Sequence, residues 1–207
     1  MIKKSSINLL CLFGIVSVVF YFLHDVIGAI YYPNYNWLSQ AVSDLTATNA
    51  PSYQIASLLS NIYGITNLIC CISVCIISKN KNKTLKIGIY LFAIMNLISA
   101  IGYFMFPLTN SGYDGTFQSF IHVYVITVLV VILSIISLIL IVIGSIKNNN
   151  TTLGYLALTT LILMFVGAIG SGNVPVEYFG LFERFSTYSA VIFTGILGIY
   201  GFKEFST

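Results

Sequence analysis

The side chains that could do chemistry in this chain are two histidines and six acids, with a few hydroxyl groups near them. His24, His122 and Asp44 would supply two imidazoles and one carboxylate, the ligand types that hold a catalytic zinc ion with one position open. A zinc ion held in this way lowers the pKa of its bound water to about 7. Glu183 would then act as the general base, and Ser39 would contact the substrate or its oxyanion. This set predicts a metal-dependent hydrolase.

Asp25 and Arg184 form a second candidate group, which could bind the headgroup of a substrate. Arg184 cannot lose its charge, so it needs an anion, which Asp25, Asp44 or a lipid phosphate could supply. A structural ion pair is the simpler interpretation of the same residues. His24 also has a simpler interpretation, as a histidine that hydrogen-bonds a neighbouring helix. At this level both interpretations stay open.

The composition indicates which kind of protein must position these groups. Of the 207 residues, 57% are hydrophobic and only 7% are charged, and the mean hydropathy is +0.94. Soluble domains carry about a quarter charged residues, so a water-soluble protein is excluded. A net charge of +3 spread over loops forms no basic face, which excludes nucleic-acid binding. We expect an all-α, polytopic membrane protein in which residues 1–207 form one transmembrane domain.

Six apolar segments are each long enough to cross a bilayer as a helix, which takes about 20 residues. They run over residues 7–29, 53–77, 87–106, 117–146, 153–170 and 181–202, and we number them spans 1 to 6. Eight of the nine basic residues then lie on one side of the membrane, with Arg184 on the other. Because basic residues favour the cytoplasmic side, both termini are predicted to be cytoplasmic. We call the opposite end of the bundle the predicted outer end.

The acids and histidines gather at the predicted outer end. Five of the six acids and both histidines fall there: Asp25, Asp44, Asp114, Glu177, Glu183, His24 and His122. Ionisable groups within a membrane usually mark function, so this distribution predicts a polar pocket on the extracytoplasmic side. Tyr35 and Trp37 lie at the same level and are typical of an interfacial aromatic belt.

The connection between spans 1 and 2 is predicted to contain a short amphipathic helix with Asn36 as its N-cap. Its apolar side would be formed by Trp37, Leu38, Ala41, Val42 and Leu45, and its polar side by Ser39, Gln40, Ser43 and Asp44. Such a helix could lie flat in the membrane interface with its polar side in water. It could equally cover the bundle and aim Ser39 and Asp44 into the pocket. The pattern does not choose between the two.

Several short motifs accompany these features: His24-Asp25, Tyr32-Pro33, Leu38-Ser39-Gln40, Ser43-Asp44-Leu45, Phe106-Pro107, His122 and Gly180-Leu181-Phe182-Glu183-Arg184-Phe185. With these motifs the chain resembles a six-span membrane family of bacteria and archaea that is known only as a domain of unknown function. The resemblance covers nearly the whole chain. It implies a membrane location and the six-span topology, but no activity. The many Ile, Asn and Lys residues are compatible with a low-GC bacterium, so we expect a multi-pass protein of its cell membrane.

The leading hypothesis is a metal-dependent hydrolase that acts on a lipid or a lipid-linked substrate at the outer leaflet. The alternatives are a small transporter or sensor that binds a cation, a proton or a small ligand, and a structural membrane protein. The hydrolase is favoured because the polar groups lie at one end only, whereas a transport path needs them at both. Zinc is the hypothesised cofactor, and a b-type haem has only the minimum of two histidines in its favour. Membrane lipids are the expected partners, and the sequence indicates no protein partner.

Overall fold

Helices account for every regular element that the structure describes. The computed structural model describes residues 4–204, with side chains from Ser6 onwards. Lys3 and the side chain of Lys4, both used to predict the orientation, lie outside this part of the chain. Residues 4–204 form α-helices, 3-10 helices and one π-helical turn, and no strand. The predicted all-α class is confirmed, while the orientation of the termini stays a prediction.

Six helical segments are long and apolar enough to cross a membrane, which confirms the six predicted spans. Span 1 consists of Lys4–Cys11 and Phe13–Ile30, span 2 is Tyr53–Ile77, span 3 is Lys83–Met105, span 4 joins Phe117–Phe120, Ile121–Ile126 and Thr127–Lys147, span 5 is Thr151–Asn173, and span 6 is Phe179–Lys203. Three short 3-10 helices lie beside them: Val42–Thr46, Ser78–Asn80 and Val176–Tyr178. Asn82 and Asn150 begin spans 3 and 5, because each side chain accepts a hydrogen bond from the backbone N–H three residues later, at 2.9 and 3.1 Å.

The spans pack as a ring in chain order, with span 6 closing against span 1 and span 2 also contacting span 6. The half of the bundle away from the predicted outer end has an apolar core, in which the most deeply buried side chains are Phe92, Leu138, Ile141, Leu153 and Phe193. Cys11, Cys70 and Cys71 lie in this core as free thiols. The other half of the interior is polar. The fold therefore divides its interior into an apolar half and a polar half.

The segment between spans 1 and 2 differs from the single amphipathic helix expected there. It forms a turn at residues 37–40 and then the 3-10 helix Val42–Thr46. The reason lies in span 6, since Arg184 takes the carbonyl groups of Trp37 and Gln40 as hydrogen-bond acceptors. In a continuous helix those carbonyl groups would instead accept hydrogen bonds from the backbone N–H groups four residues later. A tertiary contact thus replaces the local helical hydrogen bonds.

The same segment packs on the bundle. Val42 and Leu45 are almost completely buried, and the backbone N–H of Leu181 donates to the carbonyl of Leu38 at 3.0 Å. Gly180 permits this approach, because a Cβ atom there would overlap the backbone of residue 40. The segment therefore covers this end of the bundle, which is one part of the second arrangement that the sequence left open. We call residues 31–52 the covering segment.

Replacing Gly167 of span 5 by alanine tests how closely spans 5 and 6 must approach each other. A Cβ atom at Gly167 would overlap the backbone of Ser186 and would lie 2.7 Å from the carbonyl oxygen of Phe182. We expect Gly167→Ala to lower the free energy of unfolding by about 1–3 kcal/mol, because backbone atoms must move to make room. Thermal unfolding of the detergent-purified protein measures this. Gly172→Ala is the matched control, since its Cβ would meet nothing within 4 Å, and equal unfolding temperatures for both variants would contradict the close packing.

Candidate functional site

A buried ion pair joins spans 1 and 6 near the predicted outer end. Asp25 of span 1 and Arg184 of span 6 are each 5% exposed. Nε and Nη2 of the guanidinium donate to the two carboxylate oxygens at 2.8 and 2.7 Å, the bidentate geometry in which a planar guanidinium matches a carboxylate. Tyr188, one helical turn after Arg184, also donates its hydroxyl hydrogen to Asp25. The structure therefore brings Asp25 and Arg184 together.

The remaining hydrogens of Arg184 hold the covering segment. Nη1 donates to the carbonyl oxygens of Trp37 at 2.8 Å and Gln40 at 3.0 Å, and Nη2 donates to the hydroxyl oxygen of Tyr35 at 2.8 Å. Tyr35 in turn donates to the carbonyl of Ala41 at 2.8 Å. Burial raises the pKa of the Tyr35 hydroxyl above its ordinary value, so it stays protonated and keeps this role. Every N–H group of Arg184 thus has an acceptor.

A groove opens beside the ion pair, between spans 1, 5 and 6, and has a volume of about 640 Å³. Asp25, Arg184, Tyr188 and Trp37 contribute to its polar wall. The rest of its lining is mainly apolar and includes Val26, Ala29, Leu156, Leu163, Leu181, Phe185, Ile192 and Ile196. The groove therefore combines a long, mainly apolar surface with polar groups around the ion pair, and Thr159, Thr160 and Ser189 add further polar side chains to its lining.

A second polar region lies toward the centre of the bundle. Glu183 points away from its neighbour Arg184, since adjacent residues of a helix point about 100° apart. Its carboxylate is close enough to Tyr21 of span 1 and Tyr103 of span 3 to act electrostatically on both hydroxyls. The hydroxyl of Tyr63, on span 2, is also close enough to those of both tyrosines for an electrostatic interaction. All four side chains are half-buried, and we call this region of the bundle the tyrosine chamber.

The carboxylate of Glu183 has little internal compensation. It accepts one long hydrogen bond, from the backbone N–H of Val42 at 3.3 Å. Thr187, one turn further along span 6, donates to the backbone carbonyl of Glu183 and not to its side chain. Within residues 6–204 the structure forms two ion pairs, Arg184 with Asp25 and Lys81 with Glu204, so Glu183 belongs to neither.

His122 lies in an irregular part of span 4. Residues Ile121–Ile126 form a π-helical turn, a feature often found at functional sites. Nδ1 of His122 lies 2.8 Å from the carbonyl oxygen of Phe106 and must donate to it, because a carbonyl can only accept. In the neutral ring Nε2 is then an acceptor. The ring packs against Tyr103 with 4.7 Å between centroids, so His122 borders the tyrosine chamber from span 4.

His24 is buried without a hydrogen-bond partner. It is 3% exposed, and neither ring nitrogen has a partner among the residues that the structure describes. Its ring packs edge-on against Tyr21 with 5.5 Å between centroids. Buried polar groups normally have a partner. His24 is an exception to this rule, since both of its ring nitrogens are enclosed by the surrounding protein.

Asp44 and Ser39 both lie in the covering segment, and a neighbouring loop holds Asp44. Asp44 accepts from the hydroxyl of Ser111 at 2.8 Å and from the backbone N–H of Gly112 at 2.9 Å, which ties the covering segment to the loop before span 4. The hydroxyl of Ser39 donates to the carbonyl of Asn36 at 3.5 Å. The expectation that a covering helix aims both side chains into the pocket is therefore not met.

The structure does not bring the three predicted zinc ligands together. Among the described residues no group of three or more His, Cys, Asp or Glu side chains is arranged to hold a metal ion. The reason is that each predicted ligand is directed to its own neighbours. Asp44 binds the loop before span 4, His122 binds Phe106, and His24 packs against Tyr21.

The sequence analysis singled out none of the five tyrosines of this region as functional: Tyr21, Tyr35, Tyr63, Tyr103 and Tyr188. Tyr35 is typical of an interfacial belt, yet its hydroxyl binds Arg184. Tyr188 stands four residues after Arg184, and this spacing, which places both on one helix face, could have indicated it. Tyr63 has no sequence feature that separates it from a tyrosine facing lipid.

A profile of a protein family described as protein of unknown function (DUF998) matches residues 15–200. The chain belongs to this family. The match includes both polar regions described above and confirms the resemblance drawn from the short motifs. With its six apolar helices the chain is a multi-pass membrane protein of this family. No curated protein and no solved structure matches it.

Replacing Asp25 tests whether the ion pair is structural. We expect Asp25→Asn to lower the free energy of unfolding by about 3–5 kcal/mol, because it leaves the buried charge of Arg184 without a counter-charge. Thermal unfolding in detergent measures the loss. Tyr188→Phe removes one hydrogen bond to a charged group and should cost about 1.5–3 kcal/mol.

The control for this charge change is Glu177→Gln, which removes an exposed carboxylate at the start of span 6. We expect Glu177→Gln to unfold like the wild type. If Asp25→Asn also unfolded like the wild type, the ion pair would not hold the two spans together.

Proposed function

We propose that the protein binds a membrane lipid or a lipid-linked molecule in the groove between spans 1, 5 and 6. The observation that carries the proposal is the groove itself, about 640 Å³ in volume and bordered by the Asp25–Arg184 pair. Pockets of 300–1,000 Å³ that are mostly apolar, with a few converging polar groups, are typical ligand sites. The groove has these properties.

The position of the groove favours a ligand from the membrane. All three walls are formed by spans long and apolar enough to cross a bilayer, so its mouth faces the hydrocarbon region. Ile192 and Val26, which line it, are 43% and 58% exposed. A ligand that enters there must already be soluble in hydrocarbon.

The length of the groove suits an acyl chain. Its lining on span 6 extends from Leu181 to Ile196, which is about 22 Å at 1.5 Å per residue. The hydrocarbon core of a bilayer is about 30 Å thick. The groove is therefore long enough for the chain of a lipid from one leaflet.

The polar wall favours a headgroup that is neutral or zwitterionic. All donors of Arg184 already have acceptors, and Asp25 accepts from both Arg184 and Tyr188. An anionic headgroup would have to break these bonds, since Arg184 has no hydrogen left to donate. In this proposal Asp25 and Arg184 shape the headgroup end of the site and do not bind a free phosphate.

Hydrolysis of the ligand is not part of the proposal. The zinc ligands predicted from the sequence are not assembled among the described residues. The side chain of Asp44 is held by a neighbouring loop, and that of Ser39 contacts the backbone of Asn36 in its own segment. The hydrolase therefore stays a prediction from the sequence. Binding without chemistry agrees with the sensor or structural alternatives as well as with a carrier.

Filling the groove tests the proposal. Ile192→Trp places a large ring in the groove, so we expect the lipid that copurifies with the wild type in mild detergent to fall about tenfold, equivalent to about 1.4 kcal/mol of binding free energy. The lipid is extracted from the washed, purified protein and counted per chain by mass spectrometry. Lipid held by the groove should belong to one class, whereas lipid held around the whole bundle reflects the membrane composition.

Ile199→Trp is the matched control, because Ile199 lies two turns further along span 6, has a similar exposure of 40%, and does not line the groove. We expect it to retain the lipid. Equal lipid content in both tryptophan variants, or a wild type that retains no lipid class selectively, would contradict the proposal.

A further inference from the structure

We propose that two copies of this chain associate in the membrane through the exposed side of span 2, with Asn61 of one copy hydrogen-bonded to the partner's Asn61. The observation behind it is the amide group of Asn61, which is exposed on the outside of the bundle and makes no hydrogen bond within the described part of the chain. The proposal does not depend on lipid binding, because the groove lies between spans 1, 5 and 6.

The depth of Asn61 in the membrane makes this exposure costly. Asn61 stands eight residues after Tyr53, where span 2 begins, which is about 12 Å along the helix at 1.5 Å per residue. The 25-residue helix is about 37 Å long, so a hydrocarbon core about 30 Å thick leaves about 4 Å of it outside at each end. Asn61 then lies about 8 Å inside the hydrocarbon when the span is centred in the bilayer. Its side chain is too short to extend to the headgroups as the long stems of Lys and Arg do.

The other carboxamide groups at such depth are paired inside the bundle. Asn67 of span 2 donates to the side-chain oxygen of Asn96 on span 3 at 2.6 Å, and Asn96 donates to the backbone carbonyl of Phe92 at 2.8 Å. An amide group that is transferred into hydrocarbon without a hydrogen bond costs free energy, since acyl chains offer neither donor nor acceptor. Of the three Asn side chains more than five residues inside a described span, Asn61 is the one whose partner must come from outside the chain.

Asn61 belongs to a stripe of residues suited to a second helix. Two sets of residues repeat every seven positions along span 2: Leu58, Ile65 and Ile72, and, three residues after each of them, Asn61, Leu68 and Cys75. This is the spacing at which two helices keep facing each other along their whole length. Leu58, Ile65 and Ile72 are 56%, 62% and 60% exposed, while other sides of span 2 contact spans 1, 3 and 6. The stripe is therefore open to the membrane.

The chemistry of the amide selects a second copy of this chain. Apolar side chains alone give two helices little reason to associate in a bilayer, because lipid tails are equally apolar, whereas Asn side chains hydrogen-bond between helices. A carboxamide has both donor hydrogens and an acceptor oxygen, so it is complementary to itself. Two copies inserted in the same orientation place Asn61 at the same depth. A two-fold axis beside span 2 then lets each Asn61 donate to the other, and one polar residue in such a seam fixes the register.

The test is fluorescence energy transfer between copies of the full chain labelled at the amino terminus with a donor or an acceptor dye, in phosphatidylcholine vesicles at a series of protein-to-lipid ratios. We expect transfer that saturates with the stoichiometry of a dimer. Asn61→Leu loses both hydrogen bonds and should need at least a tenfold higher ratio for half-maximal transfer, while Asn61→Gln keeps the amide and should restore most of the association.

A steric pair of variants gives a second measurement. Ile65→Trp places a large ring in the stripe and should raise the half-maximal ratio as well. Ile139→Trp is the matched control, because Ile139 is 42% exposed on span 4, away from the stripe, and we expect it to associate like the wild type.

Three results would overturn the proposal: transfer at every ratio no greater than that of randomly distributed monomers, an unchanged half-maximal ratio in Asn61→Leu, or equal effects of Ile65→Trp and Ile139→Trp. If Asn61→Leu does not elute as a folded species in size-exclusion chromatography, the two tryptophan variants decide.

Discussion

The buried guanidinium of Arg184 is the group on which the arrangement of the predicted outer end depends. It binds Asp25 of span 1 in a bidentate pair, and it takes the carbonyl groups of Trp37 and Gln40 from the covering segment. A permanently charged side chain in a membrane protein must have all its hydrogens accepted. That requirement fixes span 1, span 6 and the covering segment relative to one another, and it explains why residues 37–40 form a turn instead of helix.

The division of the interior into two halves follows from the same constraint. In the apolar half, residues such as Phe92 and Phe193 pack without polar partners, so close packing alone stabilises it. In the polar half, charges and hydroxyls must find partners, and most of them do. Glu183 and His24 are the exceptions, since one has a single long hydrogen bond and the other has none among the described residues.

The groove and the tyrosine chamber share a wall, which gives the molecule two different environments at one level. Asp25, Arg184 and Tyr188 form that wall, with the groove on the side of span 5 and the chamber on the side of span 2. On the groove side the wall presents groups whose hydrogen bonds are already made. On the chamber side the carboxyl group of Glu183 accepts one long hydrogen bond. A shift of span 6 against span 1 would alter both, because consecutive residues of span 6 serve the two sides.

The sequence by itself determines the six spans and the all-helical class, because only long apolar helices satisfy their own backbone in a bilayer. It also identifies Asp25, Arg184, Glu183, His24 and His122 as residues of interest, since ionisable side chains are rare in such segments. It could not determine which of them meet. How the helices are rotated and packed decides whether Arg184 pairs with Asp25 or Asp44. It also decides whether the histidines share a ligand and whether Tyr63 faces lipid or the interior. Those rotations are decided by contacts between distant parts of the chain, and only the tertiary structure contains them.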